Sequence, residues 1–281
     1  MKSAAIILAV LAGLWLGPAE AQVDPLCGDA GDACRIDGGS YHIALPAGWD
    51  GQSSFPAIVF FHGHRSSGKA VLNGGVRSVF TNAGYAVIAP NGPRRDGENY
   101  RFWPAREMQN PPRDNIAFTS AVLEDVAKKF DLERDRILVG GFSAGGSMAW
   151  RIACAKGPLF AGYVSVAGAL RRPTPAEECP GGPVRLLHIH GFGDKQVPLE
   201  GRQIRDWHQG DVFESLSLLR ATNGCRSDPQ HIADVDKYSC RLWTSCNSGR
   251  DIQFCMHSGG HGLPKGWAEM ALQWFERPDF D

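Results

Sequence analysis

The chain has 281 residues, a net charge of −1 and 43% hydrophobic residues. That balance gives no electrostatic pull toward nucleic acid or anionic membrane, and it supplies enough apolar material for one large domain. No internal repeat, low-complexity tract or Thr- or Pro-rich linker divides the chain, so no appended binding module is expected.

The N-terminus reads as a secretory leader over residues 1–21. Lys2 gives a basic start, Ala4 to Leu16 an apolar run, Pro18 a break, and Ala19-Glu20-Ala21 a small-residue cleavage site. The apolar run is shorter than the ~20 residues a spanning helix needs, and no cysteine stands at the cleavage point to take a lipid. The mature chain is therefore expected to begin at Gln22, to carry no membrane anchor, to form a single domain over 22–281, and to be secreted to the periplasm or the medium. All eight cysteines fall in that mature part. An even count in an exported chain implies disulfides rather than a metal site, although eight cysteines allow 105 pairings. The expected set is Cys27–Cys34, Cys154–Cys179, Cys225–Cys246 and Cys240–Cys255.

Next in chain order, Cys34-Arg-Ile36 and Tyr41-His-Ile-Ala-Leu45 flank Asp37-Gly-Gly39, the signal of an N-terminal β-hairpin. Ala57–Phe61 is a continuous apolar run, as are Tyr85–Ala89, Ile137–Val139, Tyr163–Ala167, Leu186–His190 and Ile252–Met256. Strands buried on both faces read this way. Between them, helices fit Ala70–Ala83, Asn115–Phe130, Gly145–Lys156, Gly210–Arg220 and Lys265–Phe275. The best is Asn115–Phe130, where Phe118, Val122, Val126 and Phe130 fall four apart and Asp114 stands ready as N-cap. Lys237–Thr244 and Asp251–His257 read as two strands around a Cys246-Asn-Ser-Gly249 turn, with Cys240 and Cys255 nearly equidistant from it. Strand–helix alternation after a hairpin predicts an α/β fold: a mostly parallel sheet with helices on both faces. Such sheets carry their sites on loops at the C-terminal ends of strands.

The chemistry is read from those loops. Gly141-Phe-Ser-Ala-Gly145 stands between the strand Ile137–Val139 and the next helix, the setting in which G-x-S-x-G makes a nucleophile elbow. Ser143 is the candidate nucleophile, and the backbone amide of Ala144 a candidate oxyanion donor. Phe61-His62-Gly63-His64-Arg65 ends an earlier strand and offers a second amide, from His64 or Arg65, with His64 the choice. A serine hydroxyl also needs a base and a group to orient that base, and in the α/β-hydrolase arrangement the chain order is Ser, acid, His. His261 follows the last strand in Ser258-Gly-Gly-His-Gly-Leu-Pro264 and is the candidate base, with His257, His208 and His231 less well placed. Asp194, in Gly191-Phe-Gly-Asp-Lys-Gln-Val-Pro198, is the candidate orienter, with Asp206, Asp211, Asp228, Asp234 and Asp236 as fallbacks. Trp103 and Pro198 are candidate substrate-binding residues, with Trp103 placed either to stack on a substrate ring or simply to cover the core; Trp207 and Trp267 are weaker ones. His62/His64 and His188/His190 are H-x-H pairs, but no third ligand stands at zinc spacing, so neither metal nor organic cofactor is expected.

Several segments together resemble the secreted poly(3-hydroxybutyrate) depolymerase and feruloyl esterase-like α/β-hydrolases. They are Phe61-His62-Gly63, Asp135–Gly146, Ala153-Cys154, Val166-Ala-Gly168, His188–Asp194, Val197-Pro198, Asn223-Gly-Cys225, Trp243 with Cys246, and Gly259-Gly-His261. They span roughly residues 40 to 270. The resemblance implies an α/β-hydrolase fold with Ser143, Asp194 and His261 as a triad. It implies a carboxylic ester substrate, either a hydroxyalkanoate polyester or its oligomers or a feruloyl or acetyl ester of plant polysaccharide. Two positions depart from the family: His64-Arg65 where Cys-Gly is common, and Leu263 where an aromatic is common. A peptidase of the same fold usually carries a large access-restricting domain, for which this chain has no room. A non-catalytic binding protein on this scaffold would not need an intact Ser/Asp/His set.

Overall fold

The computed structural model describes Cys27 and residues 32–94, 97–106, 108 and 110–277. The expected leader over residues 1–21 lies outside them. The described chain runs β1 (Cys34–Ile36), β2 (Gly39–Ala44), β3 (Phe55–Phe61), α1 (Gly68–Leu72), α2 (Gly75–Asn82), β4 (Ala86–Pro90), α3 (Asn115–Lys129), β5 (Leu132–Phe142) and α4 (Ala144–Lys156). It continues through β6 (Gly162–Val166), β7 (Leu186–Gly191), β8 (Gln203–Ile204), β9 (Trp207–His208), α5 (Val212–Asn223), β10 (His231–Val235), β11 (Tyr238–Trp243), β12 (Ile252–His257) and α6 (Trp267–Glu276).

Ten of the strands form one sheet in the order β1-β2-β4-β3-β5-β6-β7-β12-β11-β10. The six central strands, β4 to β12, pair in parallel. The β1–β2 hairpin closes one edge antiparallel, and β11 and β10 close the other. Side chains alternate across β3: Ala57, Val59 and Phe61 join the core under α3, α4 and α5, while Ile58 and Phe60 join the core under α1, α2 and α6. Burial on both faces is why the strand reads as one apolar run.

Local chemistry sets the helix ends. Asp114 accepts from the amides of Ile116 and Ala117 and starts α3. Phe118, Val122 and Val126 form its buried stripe, but Phe130 stands beyond the helix end in extended conformation. The single helix expected over 70–83 is two, α1 and α2, because the chain breaks at Asn73-Gly74, where Gly74 adopts extended angles as the N-cap of α2. β5 is longer than its apolar run, since Leu132–Arg136 carries exposed charge along with the ladder. β10 has no apolar alternation to announce it; only Ala233 in it is even partly buried.

Four disulfides join Cys27–Cys34, Cys154–Cys179, Cys225–Cys246 and Cys240–Cys255. Cys240 and Cys255 are register partners across β11 and β12. Among the described residues no helix is long and apolar enough to cross a membrane.

A buried ion pair ties the last helix to the sheet. Arg185, just before β7, donates to Asp251 at 2.7 Å and to the carbonyls of Trp274, Phe275 and Arg277 at 2.8, 3.0 and 3.1 Å. Removing one partner of a buried pair leaves the other charge uncompensated. Asp251→Ala is expected to lower unfolding free energy by about 3–5 kcal/mol, read from urea denaturation; a loss under about 1 kcal/mol would show that the four carbonyl and carboxylate contacts are not coupled in this way.

Candidate active site

β5 ends at Phe142 and α4 begins at Ala144, leaving one residue for the turn. Ser143 takes φ 57° and ψ −117°, a conformation few side chains adopt. The two flanking glycines are required by close approach. A Cβ on Gly141 would overlap the backbone of Gly145, and a Cβ on Gly145 would overlap the Phe61 carbonyl at the end of β3. The Ser143 amide donates to the Val166 carbonyl at 2.9 Å, which fixes the turn to β6.

Two further loops meet this turn. The loop after β7 carries Asp194 and the loop after β12 carries His261; Gly193 donates to the Gly259 carbonyl at 3.0 Å and Phe192 to that of His257 at 2.7 Å, stitching the two together. His261 Nε2 lies 2.9 Å from Ser143 Oγ, and His261 Nδ1 lies 2.7 Å from Asp194 Oδ2. The imidazole packs on Phe142, with ring centroids 5.0 Å apart. Asp194 is buried, and its second oxygen accepts from the amides of Gln196 and Val197, both at 2.8 Å. Burial alone would raise its pKa. The hydrogen bond from His261 and the two amides outweigh that and hold the carboxyl below its usual value.

Behind Asp194 stands a directed chain of buried rings. Trp150 can only donate, so His188 Nδ1, 3.3 Å from the indole nitrogen, must accept. His188 Nε2 then donates to His190 Nδ1 at 3.0 Å, and His190 Nε2 donates to the Val197 carbonyl at 2.8 Å. Burial pushes the pKa of His188 far below the usual histidine value and lowers that of His190, so both stay neutral. The H-x-H pair on β7 is thus a structural relay that pins the loop whose amides hold Asp194. His62 has a similar duty: Nδ1 donates to the Gly63 carbonyl at 2.7 Å, Nε2 accepts from Gly92 at 3.0 Å, and burial lowers its pKa to about 4.

The histidines weighed against His261 lie elsewhere. His257 ends β12 and accepts from the Gly259 amide, His208 accepts from the Gly210 amide on β9, and His231 starts the exposed β10. In the loop after β3, the Arg65 amide donates to the Arg101 carbonyl at 3.0 Å, so of its two amides His64's is the remaining candidate oxyanion donor. His64 and Ala144 line the same cavity as Ser143. The Ala144 amide opens α4, in the turn whose N–H groups have no partner within the helix.

That cavity holds about 590 Å³, and its apolar lining includes Tyr100, Phe102, Trp103, Met108, Val197 and Trp207. Of the two substrate-binding expectations, Trp103 lines the cavity and Pro198 does not. Trp103 borders the cavity but is 1% exposed. Its indole donates to the His62 carbonyl at 2.8 Å and its ring edge-packs on Phe61, so it is a wall of the cavity and not an open stacking surface. Pro198 does not line the cavity. The Asp194 carboxylate winds the loop so that Gln196 and Val197 face it, and Pro198 continues toward a turn with Gly201. Trp207 supplies an aromatic face on the cavity, whereas Trp267 packs on Phe60 in the opposite core. Arg171, Arg106 and Arg202 also line the cavity and were not singled out by sequence; for Arg171 the available signal was its place after the C-terminal end of β6.

A hydroxyl, imidazole and carboxylate in this order can move a proton off the hydroxyl and hold the resulting imidazolium. The profile of the prolyl oligopeptidase family matches residues 74–172, the stretch that contains the turn at Ser143. The chain is 26% identical over 248 residues to a protein of Aspergillus terreus named "Probable feruloyl esterase C", covering 83% of this chain and 80% of that one. It is 26% identical over 243 residues to feruloyl esterase C of Emericella nidulans, with the same two coverages, 83% and 80%. Among solved structures, an acetyl xylan esterase from Aspergillus awamori superposes with a TM-score of 0.66 at 16% identity, covering 84% of this chain and 93% of that one. That likeness places the chain in the α/β-hydrolase fold.

Proposed function

We propose that this chain, a serine carboxylic ester hydrolase among the feruloyl-esterase-like α/β-hydrolases, releases hydroxycinnamic acids such as ferulate from their esters with plant polysaccharide. The observation that carries the reading is Ser143, bonded through His261 to Asp194, opening into an aromatic-walled cavity of about 590 Å³. A cavity of that size suits one planar acyl group with part of its alcohol.

In the proposed mechanism His261 takes the Ser143 proton as Oγ attacks the ester carbonyl carbon. The carbonyl oxygen becomes an oxyanion held by the amides of His64 and Ala144. The C–O bond to the alcohol breaks, and the alcohol leaves with the proton from His261. Water, deprotonated by the same imidazole, then attacks the acyl-enzyme, releases the acid and restores the Ser143 hydroxyl. Asp194 holds His261 with Nε2 facing the hydroxyl and offsets the imidazolium charge. This chemistry draws on side chains and backbone alone. The four disulfides suit an oxidising compartment outside the cytoplasm.

The second reading is a hydroxyalkanoate oligomer, supported by the motif set from Phe61-His62-Gly63 to Gly259-Gly-His261. The two separate in one assay. Methyl ferulate is expected to be cleaved with a kcat/KM at least about tenfold above that for 3-hydroxybutyrate release from its trimer. The reverse order would favour the oligomer, and failure on both would reject the two substrate classes together.

A further inference from the structure

The cavity that holds Ser143 carries charge that the proposed ester chemistry does not use. Among the described residues, four arginines line it (Arg106, Arg171, Arg202 and Arg205) against one carboxylate, Asp206. Arg202 is satisfied in part by Gln209, 3.0 Å away. Arg171 is not: its Nε is shielded from solvent and has no hydrogen-bond partner among the described residues. The Arg171 guanidinium lies over the Trp207 ring, 5.2 Å from the centroid, and that of Arg106 lies over the same ring at 5.5 Å.

Both cations are held in place. Arg151 on α4 donates to the carbonyls of Pro104 and Arg106 and fixes the segment that presents Arg106. Gly210, at φ 92°, lies so close to the Leu170 carbonyl that any Cβ would overlap it. The β8–β9 hairpin is thereby seated on the segment that carries Arg171, and Trp207 comes with it. Burial and the charge of Arg106 lower the Arg171 pKa to about 10, so it remains a cation at neutral pH. A ring face offsets part of the cost of two neighbouring cations, but it gives their N–H groups no acceptor. Both arginines are only partly open to solvent, so an anion that pairs with them restores contacts that water gives incompletely, and a guanidinium fork matches a carboxylate in shape and charge.

We propose that Arg171 and Arg106 on the Trp207 ring form a carboxylate subsite, and that the preferred ester therefore carries a free carboxylate elsewhere in the molecule. The proposal rests on the reading of this cavity as the ester site and names a substrate feature within it. A feruloyl group has no free carboxylate while esterified. The anion lies on the leaving-alcohol side in either case, as a uronate in the esterified saccharide or as the free carboxyl end of a short hydroxyacid oligomer, whose terminal unit is joined through its own hydroxyl.

The test is kcat/KM on two matched pairs, with p-nitrophenyl acetate run in parallel. One pair is a feruloyl ester of a galacturonate glycoside and of the corresponding galactose glycoside. The other is the 3-hydroxybutyrate trimer as free acid and as terminal carboxamide. In one pair the charged member is expected to be preferred by about tenfold or more, and that pair identifies the source of the anion. Arg171→Gln is expected to bring the ratio close to one, and Arg106→Gln to lower it in the same direction should Arg171→Gln fail to fold. Equal values within both pairs, or a preference untouched by either substitution, overturns the proposal while leaving the ester reading intact. Turnover of p-nitrophenyl acetate with none of the four also overturns the proposal alone; no turnover of any ester overturns both.

Discussion

Ser143→Ala is expected to lower kcat/KM for methyl ferulate by about 10⁵- to 10⁶-fold. In the proposed mechanism Oγ is the atom that bonds to the acyl carbon, and alanine has no hydroxyl to take its place. The substitution removes little else. Ser143 holds the turn through its backbone amide to Val166, and its side chain bonds only to His261 among the described residues. The melting temperature should therefore stay close to that of the wild type. His261→Ala should cost about as much, and the double variant little more than either, because nucleophile and base act as one unit. A fluorophosphonate probe should label the wild type and not Ser143→Ala. A folded wild-type protein that resists the probe, or a Ser143→Ala variant that keeps more than about a hundredth of the activity, would sink the assignment.

The sequence made this turn legible because its constraints are local and steric. Two glycines and a serine between a buried strand and a helix leave few other conformations, as the overlaps at Gly141 and Gly145 show. The central strands were legible for a similar reason: a strand buried on both faces, such as Phe55–Phe61, has no polar face to interrupt the run. The elements that escaped are those without such a signature. β10 is exposed on both sides and is held by pairing with β11, a partner that local pattern does not reveal. The break between α1 and α2 falls where apolar spacing continues across Asn73-Gly74, and periodicity alone runs over it.

The cavity was the least legible part, since it is assembled from segments far apart in the chain. Trp103 and Trp207 are equally large and equally apolar in sequence. What separates them is that His62 and Phe61 occupy Trp103, whereas Trp207 sits on a two-stranded hairpin beside Arg171. Val197 and Pro198 stand in the same motif, and nothing local in the sequence separates them. The carboxylate of Asp194, by taking the amides of Gln196 and Val197, decides which residues of that loop face inward.

Asp194→Asn should lower kcat/KM by about 10⁴-fold with little change in folding. The two side chains have the same shape, and the argument turns on where the amide nitrogen must go. One oxygen of Asp194 accepts from the Gln196 and Val197 amides at 2.8 Å each, and an NH₂ group there would set donor against donor twice. Asparagine therefore keeps its oxygen on those amides and turns its NH₂ toward His261 Nδ1, where the carboxylate now stands at 2.7 Å. Facing a donor, Nδ1 must accept, so the imidazole carries its proton on Nε2. That proton then points at Ser143 Oγ, 2.9 Å away, and the ring has no lone pair left to take the hydroxyl proton. The negative charge that offsets the imidazolium is lost at the same time. Fluorophosphonate labelling should slow in parallel with ester turnover, because both need the same proton removed. A loss of less than about tenfold would mean that another carboxylate orients His261, and Asp206, the one acidic residue among the described residues lining the cavity, would be the first to replace.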